Sequence, residues 1–180
     1  DLGIEGFFSI IRVKYTPCRF LAAKVLDRAR AKLGRPSPKT VTESTPLAGG
    51  KIDRFDEFMS RSVAERPAGF DESMMRHLVR SYGSDHTVIT DLAGKDPSLS
   101  GLLPGSAEVA RAEVVHAVRE ESALKLEDVV LRRTDLGTLG HPGVEALHAC
   151  AEIMGGELGW DGARKQREID AIETRYIFKD

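Results

Sequence analysis

Cysteine is scarce in this chain of 180 residues: Cys18 and Cys150 are the only two, and they stand far apart. Two isolated thiols give neither a metal-ligand spacing nor a disulfide framework. Each reads as a small, partly buried side chain in a reducing, cytoplasmic setting. Long apolar runs are missing as well. The longest near the start, Phe7-Phe8-Ser9-Ile10-Ile11, is far short of the roughly 20 residues a membrane span requires. It also lacks the charged lead and cleavage site of a signal peptide. No charge of one sign dominates: the formal net charge is -2, and both signs are spread along the chain. Nucleic-acid binding, which needs a clustered basic face, is therefore not expected. No G-x-G-x-x-G turn, P-loop or G-x-S-x-G elbow is present, and the pairs Gly49-Gly50 and Gly155-Gly156 are isolated.

What is present is mostly helical patterning. Gly3 to Val13 is the exception, a short and nearly continuous apolar run that reads as a buried strand. Such a strand needs neighbours, and nothing later in the chain supplies them. With Asp1 as the first residue, the chain reads as a fragment. Thr16-Pro17 predicts a helix start, with Leu21, Ala22, Val25, Leu26, Ala29 and Leu33 on one face and Gly34 as the stop. Arg35 to Lys51 holds three of the eight prolines and Gly49-Gly50, so it reads as a connector.

Beyond it, helices are predicted around Phe55–Val63, Asp71–Tyr82, Ser84–Leu92, Ser106–Arg133 with a bend near Asp128, Pro142–Met154 and Asp161–Tyr176. Val129, Val130 and Leu131 are expected in the core, as are Val144, Leu147, Ala151 and Met154. The fold class is mainly α, with one strand–helix unit ahead of an all-helical domain.

Chemistry-bearing residues are few. Five histidines are present, His77, His86, His116, His141 and His148. His116 shares a predicted helix with Glu113 and Glu120 at spacings that let side chains meet. A metal or acid–base site is one reading; a helix-contact histidine is the favoured one. The densest polar cluster runs from Glu113 through Arg119, Glu120, Glu121 and Asp128 to Arg132, Arg133, Thr134 and Asp135. Glu113 lies between Ala112 and Val115 and is expected to be partly buried, with Arg132 or Arg133 as its partner. This cluster reads either as an anion or partner site or, preferentially, as an inter-helix ion-pair network. At the other end, Lys14, Thr16 and Arg19 cluster where the strand enters a helix N-terminus. Outward-facing backbone N–H groups there suit an anion or polar cofactor atoms; ordinary capping beside exposed cations is the equal alternative.

The run from Ala112-Glu113-Val114 to Glu120-Glu121, then Leu126-Glu127-Asp128-Val129-Val130-Leu131-Arg132-Arg133-Thr134 and Gly137, resembles the C-terminal domain of FAD-dependent glycerol-3-phosphate dehydrogenases and alpha-glycerophosphate oxidases. Tyr82-Gly83-Ser84, Cys150-Ala151 and Leu158-Gly159-Trp160 resemble it too. Lys14-Tyr15-Thr16 with Arg19 resembles the family's Gly-Gly-Lys-x-Thr-Thr-x-Arg run beside the flavin, with Arg12-Val13 replacing the glycines and Pro17 the second threonine.

The resemblance implies a multi-helix C-terminal cap domain, preceded by a strand and helix left over from an FAD-binding α/β domain. The expected boundaries are 1–34 for that remnant, 35–51 for a linker and 52–180 for the helical domain. It further implies oxidation of sn-glycerol 3-phosphate to dihydroxyacetone phosphate with FAD as cofactor and quinone or oxygen as acceptor. Most of the flavin site would lie in a missing N-terminal flavin domain, and the fragment alone would be inactive. Lys14, Thr16 and Arg19 are the implied cofactor-binding residues; no catalytic or metal residue is implied. The alternative is a helical interaction module that contacts an electron acceptor, another subunit of a homo-oligomer or a membrane surface from its periphery.

Overall fold

The computed structural model describes residues 4, 6–11 and 14–176. The chain divides into two compact units, Asp1–Leu47 and Ala48–Asp180.

In the first unit, residues 6–11 have no regular secondary structure beyond a turn at Gly6. The strand expected over Gly3–Val13 is therefore not formed among the described residues; Gly3, Glu5, Arg12 and Val13 lie outside them. A strand is stabilised by a partner's N–H and C=O groups. The β-bridge found among the described residues joins Leu102 to Ala110, in the other unit. Helix α1 spans Cys18–Lys32, one residue later than Thr16-Pro17 predicts. Pro17 occupies the N-cap position, and the Thr16 hydroxyl does not cap. No residue of α1 is buried. Of the predicted face, Leu21, Val25 and Ala29 are half-buried while Ala22, Leu26 and Leu33 stay exposed, as do Phe7, Ile10, Ile11 and Phe20.

The second unit is helical: α2 Phe55–Ala64, α3 Glu72–Tyr82, α4 His86–Lys95, α5 Arg111–Glu121, a single turn α6 Leu126–Asp128, α7 Val144–Leu158 and α8 Gly162–Tyr176. Asp71 starts α3 by accepting the Met74 N–H at 2.9 Å, a cap worth about 1 kcal/mol. Asp161 does the same for α8 through the Arg164 N–H at 2.7 Å. The loop expected over Lys95–Gly105 closes on the entry to α5: the Leu103 N–H bonds the Val109 carbonyl and the Arg111 N–H bonds the Gly101 carbonyl, both at 2.9 Å.

Two hydrophobic clusters make the core. One joins α2, α3 and α4 through Met59, Val63, Met75, Leu78, Val79 and Ile89, and takes Ala110 and Ala112 from the start of α5. The other takes Val114 and Ala117 from α5 and packs them with Leu126, Val129, Val130, Leu147, Met154 and Ile172. Each of the valine, leucine, isoleucine and methionine side chains contributes about 1.5–3 kcal/mol on burial. Helix α5 thus lies between two cores, and its six consecutive residues Ala112 to Ala117 are all buried. A helix covered on every side must bury whatever polar residues its sequence carries, which is why Glu113 and His116 are inside.

Two core assignments need correction. Leu131 is 38% exposed and Val144 55% exposed. Leu131 falls in a π-helical turn, Val129–Arg133, which follows α6 directly and keeps only Val129 and Val130 buried. Val144 is the first residue of α7, where the helix emerges from a surface loop.

Candidate functional site

The residues singled out at the start of α1 separate into two kinds. Lys14 and Thr16 are exposed, and among the described residues neither side chain has a hydrogen-bond or ion-pair partner. Arg19 is engaged. Its Nε donates to Thr42 Oγ1 at 2.7 Å, and its Nη2 donates to the Thr42 and Thr45 carbonyls. Its guanidinium therefore ties the connector to α1.

In the helical unit, the buried carboxylate is real but its partners are not arginines. Glu113 is 1% exposed. Its Oε1 accepts the Ala110 N–H at 2.7 Å, closing the first turn of α5. Its Oε2 accepts the Tyr82 hydroxyl at 2.9 Å and lies 3.0 Å from His77 Nε2. The other ring nitrogen of His77 faces Glu108 at 3.5 Å. Held between two carboxylates, chiefly by its hydrogen bond to Glu113, the His77 imidazole has its pKa raised above the ordinary 6.5. Burial, with Glu113 beside it, pushes the Tyr82 hydroxyl far up, so it stays protonated and donates.

The expected pairing of Glu113 with Arg132 or Arg133 is corrected: the residues that meet it, His77 and Tyr82, come from α3. Both sit within the α3 apolar pattern of Met74, Met75, Leu78 and Val79. A polar residue inside such a stripe is the signal that could have marked them.

Several of the other charged residues form ion pairs. Arg132 binds Glu127 at 3.0 Å and Asp128 at 2.8 Å, and Arg175 of α8 reaches the same Glu127. These arginines hold the Glu127 carboxyl below the usual carboxylate range, with the Arg132 hydrogen bond the largest cause. Arg119 of α5 grips Glu157 of α7 with two bonds at 2.6 and 2.7 Å. Arg133 has no ion-pair or hydrogen-bond partner among the described residues.

His116 is buried and meets Tyr82 edge to face, with ring centroids 5.4 Å apart. Its Nδ1 has no partner among the described residues. No group of three or more His, Cys, Asp or Glu among the described residues is placed to hold a metal ion.

His77, Tyr82 and Glu113 also form one wall of a cavity of about 310 Å³, completed by Ser81, Glu121 and the run Arg132-Arg133-Thr134-Asp135. Every one of these side chains is polar.

The two cysteines differ sharply. Cys18 is exposed and Cys150 is fully buried in the α7 core. Burial pushes the Cys150 thiol up to about 12. At pH 8 a thiol reagent should therefore label one cysteine of the native chain rapidly, and the second only on unfolding. Rapid labelling of both in the native protein would show this core to be open.

Comparison with known proteins places this geometry. A family model for the C-terminal domain of alpha-glycerophosphate oxidase matches residues 40–165. Glycerol-3-phosphate dehydrogenase 2 of Mycobacterium tuberculosis is 30% identical over 168 residues, which cover 91% of this chain and 28% of that protein. The mitochondrial glycerol-3-phosphate dehydrogenase of Mus musculus is 28% identical over 183 residues, 99% of this chain and 24% of the relative. Among solved structures, the glycerol-3-phosphate dehydrogenase of Bacillus halodurans, complexed with FAD, superposes with a TM-score of 0.72 at 23% identity. That match covers 93% of this chain and 36% of the other, and it establishes a shared fold. The chain thus spans between 24% and 28% of the length of these curated relatives. By its matched residues and its helical architecture, the chain belongs to the family of the C-terminal domain of alpha-glycerophosphate oxidase.

Proposed function

We propose that this chain is the C-terminal part of a flavoenzyme that oxidises sn-glycerol 3-phosphate to dihydroxyacetone phosphate, and that it is inactive alone. The observation that carries the reading is the family match over 40–165 together with relatives named glycerol-3-phosphate dehydrogenase. In this reading, 1–34 completes an FAD-binding domain, 35–51 is the linker and 52–180 the helical cap. The exposed apolar side chains of the first unit, Phe7, Ile10, Phe20 and Leu26, suit a flavin domain as the partner that covers them.

FAD would supply the hydride-accepting chemistry when bound, and protein groups would bind and orient it. Lys14 and Thr16, exposed and with uncommitted donors, fit polar cofactor atoms. Arg19 fits a supporting role, since its donors already hold Thr42 and Thr45. The acceptor is a quinone or oxygen. Contact with a membrane is peripheral in this reading, as no helix among the described residues is long and apolar enough to cross one. Assembly into a homo-oligomer belongs to the same proposal.

The full-length protein containing this chain should purify yellow and reduce a dye when given glycerol 3-phosphate, while the 180-residue chain alone should not. Lys14→Ala in the full-length protein should lower dye reduction by about tenfold or more, the scale of a lost charge-assisted hydrogen bond. A folded full-length protein without flavin overturns the proposal. An unchanged rate in the Lys14→Ala variant overturns the assignment of that residue.

A further inference from the structure

Residues 35–51 have the composition of a loose connector, with three prolines, several serines and threonines and the pair Gly49-Gly50. Such segments are ordinarily mobile. Here local bonds fold the middle of the segment into a turn. The Ser44 and Thr45 N–H groups both reach the Val41 carbonyl at 3.1 Å, and the Thr45 hydroxyl donates to it at 2.8 Å. Short hydroxyl side chains favour turns of this kind by bonding nearby backbone.

Two arginines of α1 then hold the segment. Arg19 Nε donates to Thr42 Oγ1 at 2.7 Å, and its Nη2 donates to the Thr42 and Thr45 carbonyls. A planar guanidinium with donors on a fixed fork suits several acceptors on one turn. Upstream, Arg30 Nε donates to the Pro36 carbonyl at 2.7 Å, and the Arg35 N–H bonds the Arg30 carbonyl at 2.9 Å. All of these contacts lie within Asp1–Leu47.

The chain is fixed again at Gly49, within Ala48–Asp180. The Gly49 N–H donates to Asp85 Oδ2 at 2.8 Å, and the Gly49 carbonyl accepts the Ser84 N–H at 2.8 Å. Burial marks the same two anchors: across residues 31–51, Thr42 and Gly49 are half-buried and every other residue is exposed. Between the anchors, Pro46, Leu47 and Ala48 are exposed and make no hydrogen bond among the described residues. The ring of Pro46 also holds its φ at about −65°, which leaves this short stretch few free dihedrals.

We propose that the connector is a strap: 35–45 belong to the first unit through Arg19 and Arg30, and the hinge of the chain is Pro46-Leu47-Ala48. Arg19 is then a positioning residue, which sets where the hinge begins. With Arg19 engaged, the segment free to turn is Pro46 to Ala48; with Arg19 released, it runs from Ser37 to Ala48. The strap rests on contacts inside each unit and narrows the linker of the proposed flavoenzyme to 46–48. Neither flavin nor turnover enters its test, so its outcome is separate from the redox reading.

Brief digestion of the full-length protein with proteinase K, a protease of broad specificity, tests it, with the cuts over residues 31–60 read by mass spectrometry. The first cuts in this region should fall at Pro46–Ala48, with 36–45 intact in the first products. In R19A, a glutamate-specific protease should cut the Glu43–Ser44 bond about tenfold faster or more, the scale of one lost hydrogen bond to a charged donor. Cutting after Glu65, at the end of α2 in the other unit, is the control and should not change. R19K keeps the charge but lacks the planar fork, so its rate should fall between wild type and R19A. First cuts within 36–45 of the wild type overturn the proposal, a result that needs no variant to fold. So does R19A cut after Glu43 at the wild-type rate, or cut faster after Glu43 and Glu65 alike.

Discussion

Glu113→Ala lowers the stability of the helical unit by about 3–5 kcal/mol, the range for removing one partner from a buried charged cluster. The substitution leaves the Ala110 N–H, the Tyr82 hydroxyl and the His77 ring without their acceptor, in a place water does not readily reach. For a domain of this size the unfolding temperature should fall by roughly 3–5 °C per kcal/mol. Glu113→Gln keeps the shape and one acceptor oxygen but loses the charge, and should cost about 1.5–3 kcal/mol. The order wild type, Gln, Ala in a urea unfolding series is the check. A Glu113→Ala variant within 1 kcal/mol of wild type, measured against the roughly 3 kcal/mol floor, would mean that the network is ornamental.

The same cluster makes stability depend on pH. The His77 pKa is raised in the folded state, chiefly by its bond to Glu113. Folding therefore favours the protonated ring. The contribution is fully present below the unfolded value of 6.5 and is lost as pH rises through the folded value. Unfolding free energy should fall over that window in the wild type and be flatter in His77→Gln. An equal slope in the two proteins would assign the dependence to another group.

Gly83→Ala is the second large effect. Gly83 ends α3 at φ 57° and ψ -131°, a conformation side chains avoid. A Cβ there would sit 2.1 Å from the Gly49 carbonyl oxygen, and a Cβ on Gly49 would sit 2.3 Å from the Tyr82 carbonyl oxygen. The two backbones cross in contact, fastened by Ser84 N–H to the Gly49 carbonyl at 2.8 Å and Gly49 N–H to Asp85 Oδ2 at 2.8 Å. Neither backbone can give way without breaking these bonds. We expect a loss of about 3 kcal/mol or more from strain and displacement together. Gly94→Ala is the control. Gly94 lies in α4 with nothing within 4 Å of the added carbon, so the change should stabilise by about 0.5–1 kcal/mol. Equal effects at the two positions would rule out the crossing as the cause.

Both effects rest on contacts between residues far apart in the chain. Helix positions were legible because each rests on neighbours in sequence. Asp71 caps α3, Asp161 caps α8 and Gly159 ends α7 in the left-handed conformation, all as their spacing implies. The end of the helix at Tyr82 is legible in the sequence, but the crossing of Gly83 with Gly49 is not, because 34 residues separate them. The burial of Glu113 could be expected from its apolar flanks. Its partners could not: Arg132 and Arg133 were the plausible choices by charge, while the contact goes to His77 and Tyr82. An arginine's preference for a carboxylate is satisfied wherever geometry allows, and here Glu127 and Asp128 are nearer to Arg132.

The strand expected over Gly3–Val13 shows the complementary failure. Its apolar run is a property of the sequence, but a strand is a property of a pair. Among the described residues the pair is missing, and Phe7, Ile10 and Ile11 stay exposed. The sequence by itself determined the helical class, the helix limits set by capping residues and glycines, and the family through its Ala112–Glu121 and Leu126–Thr134 runs. Only the tertiary structure decided which charged groups meet and which backbones touch. Capping and periodicity act over a few residues, whereas a buried carboxylate takes its partners from whatever helices pack around it.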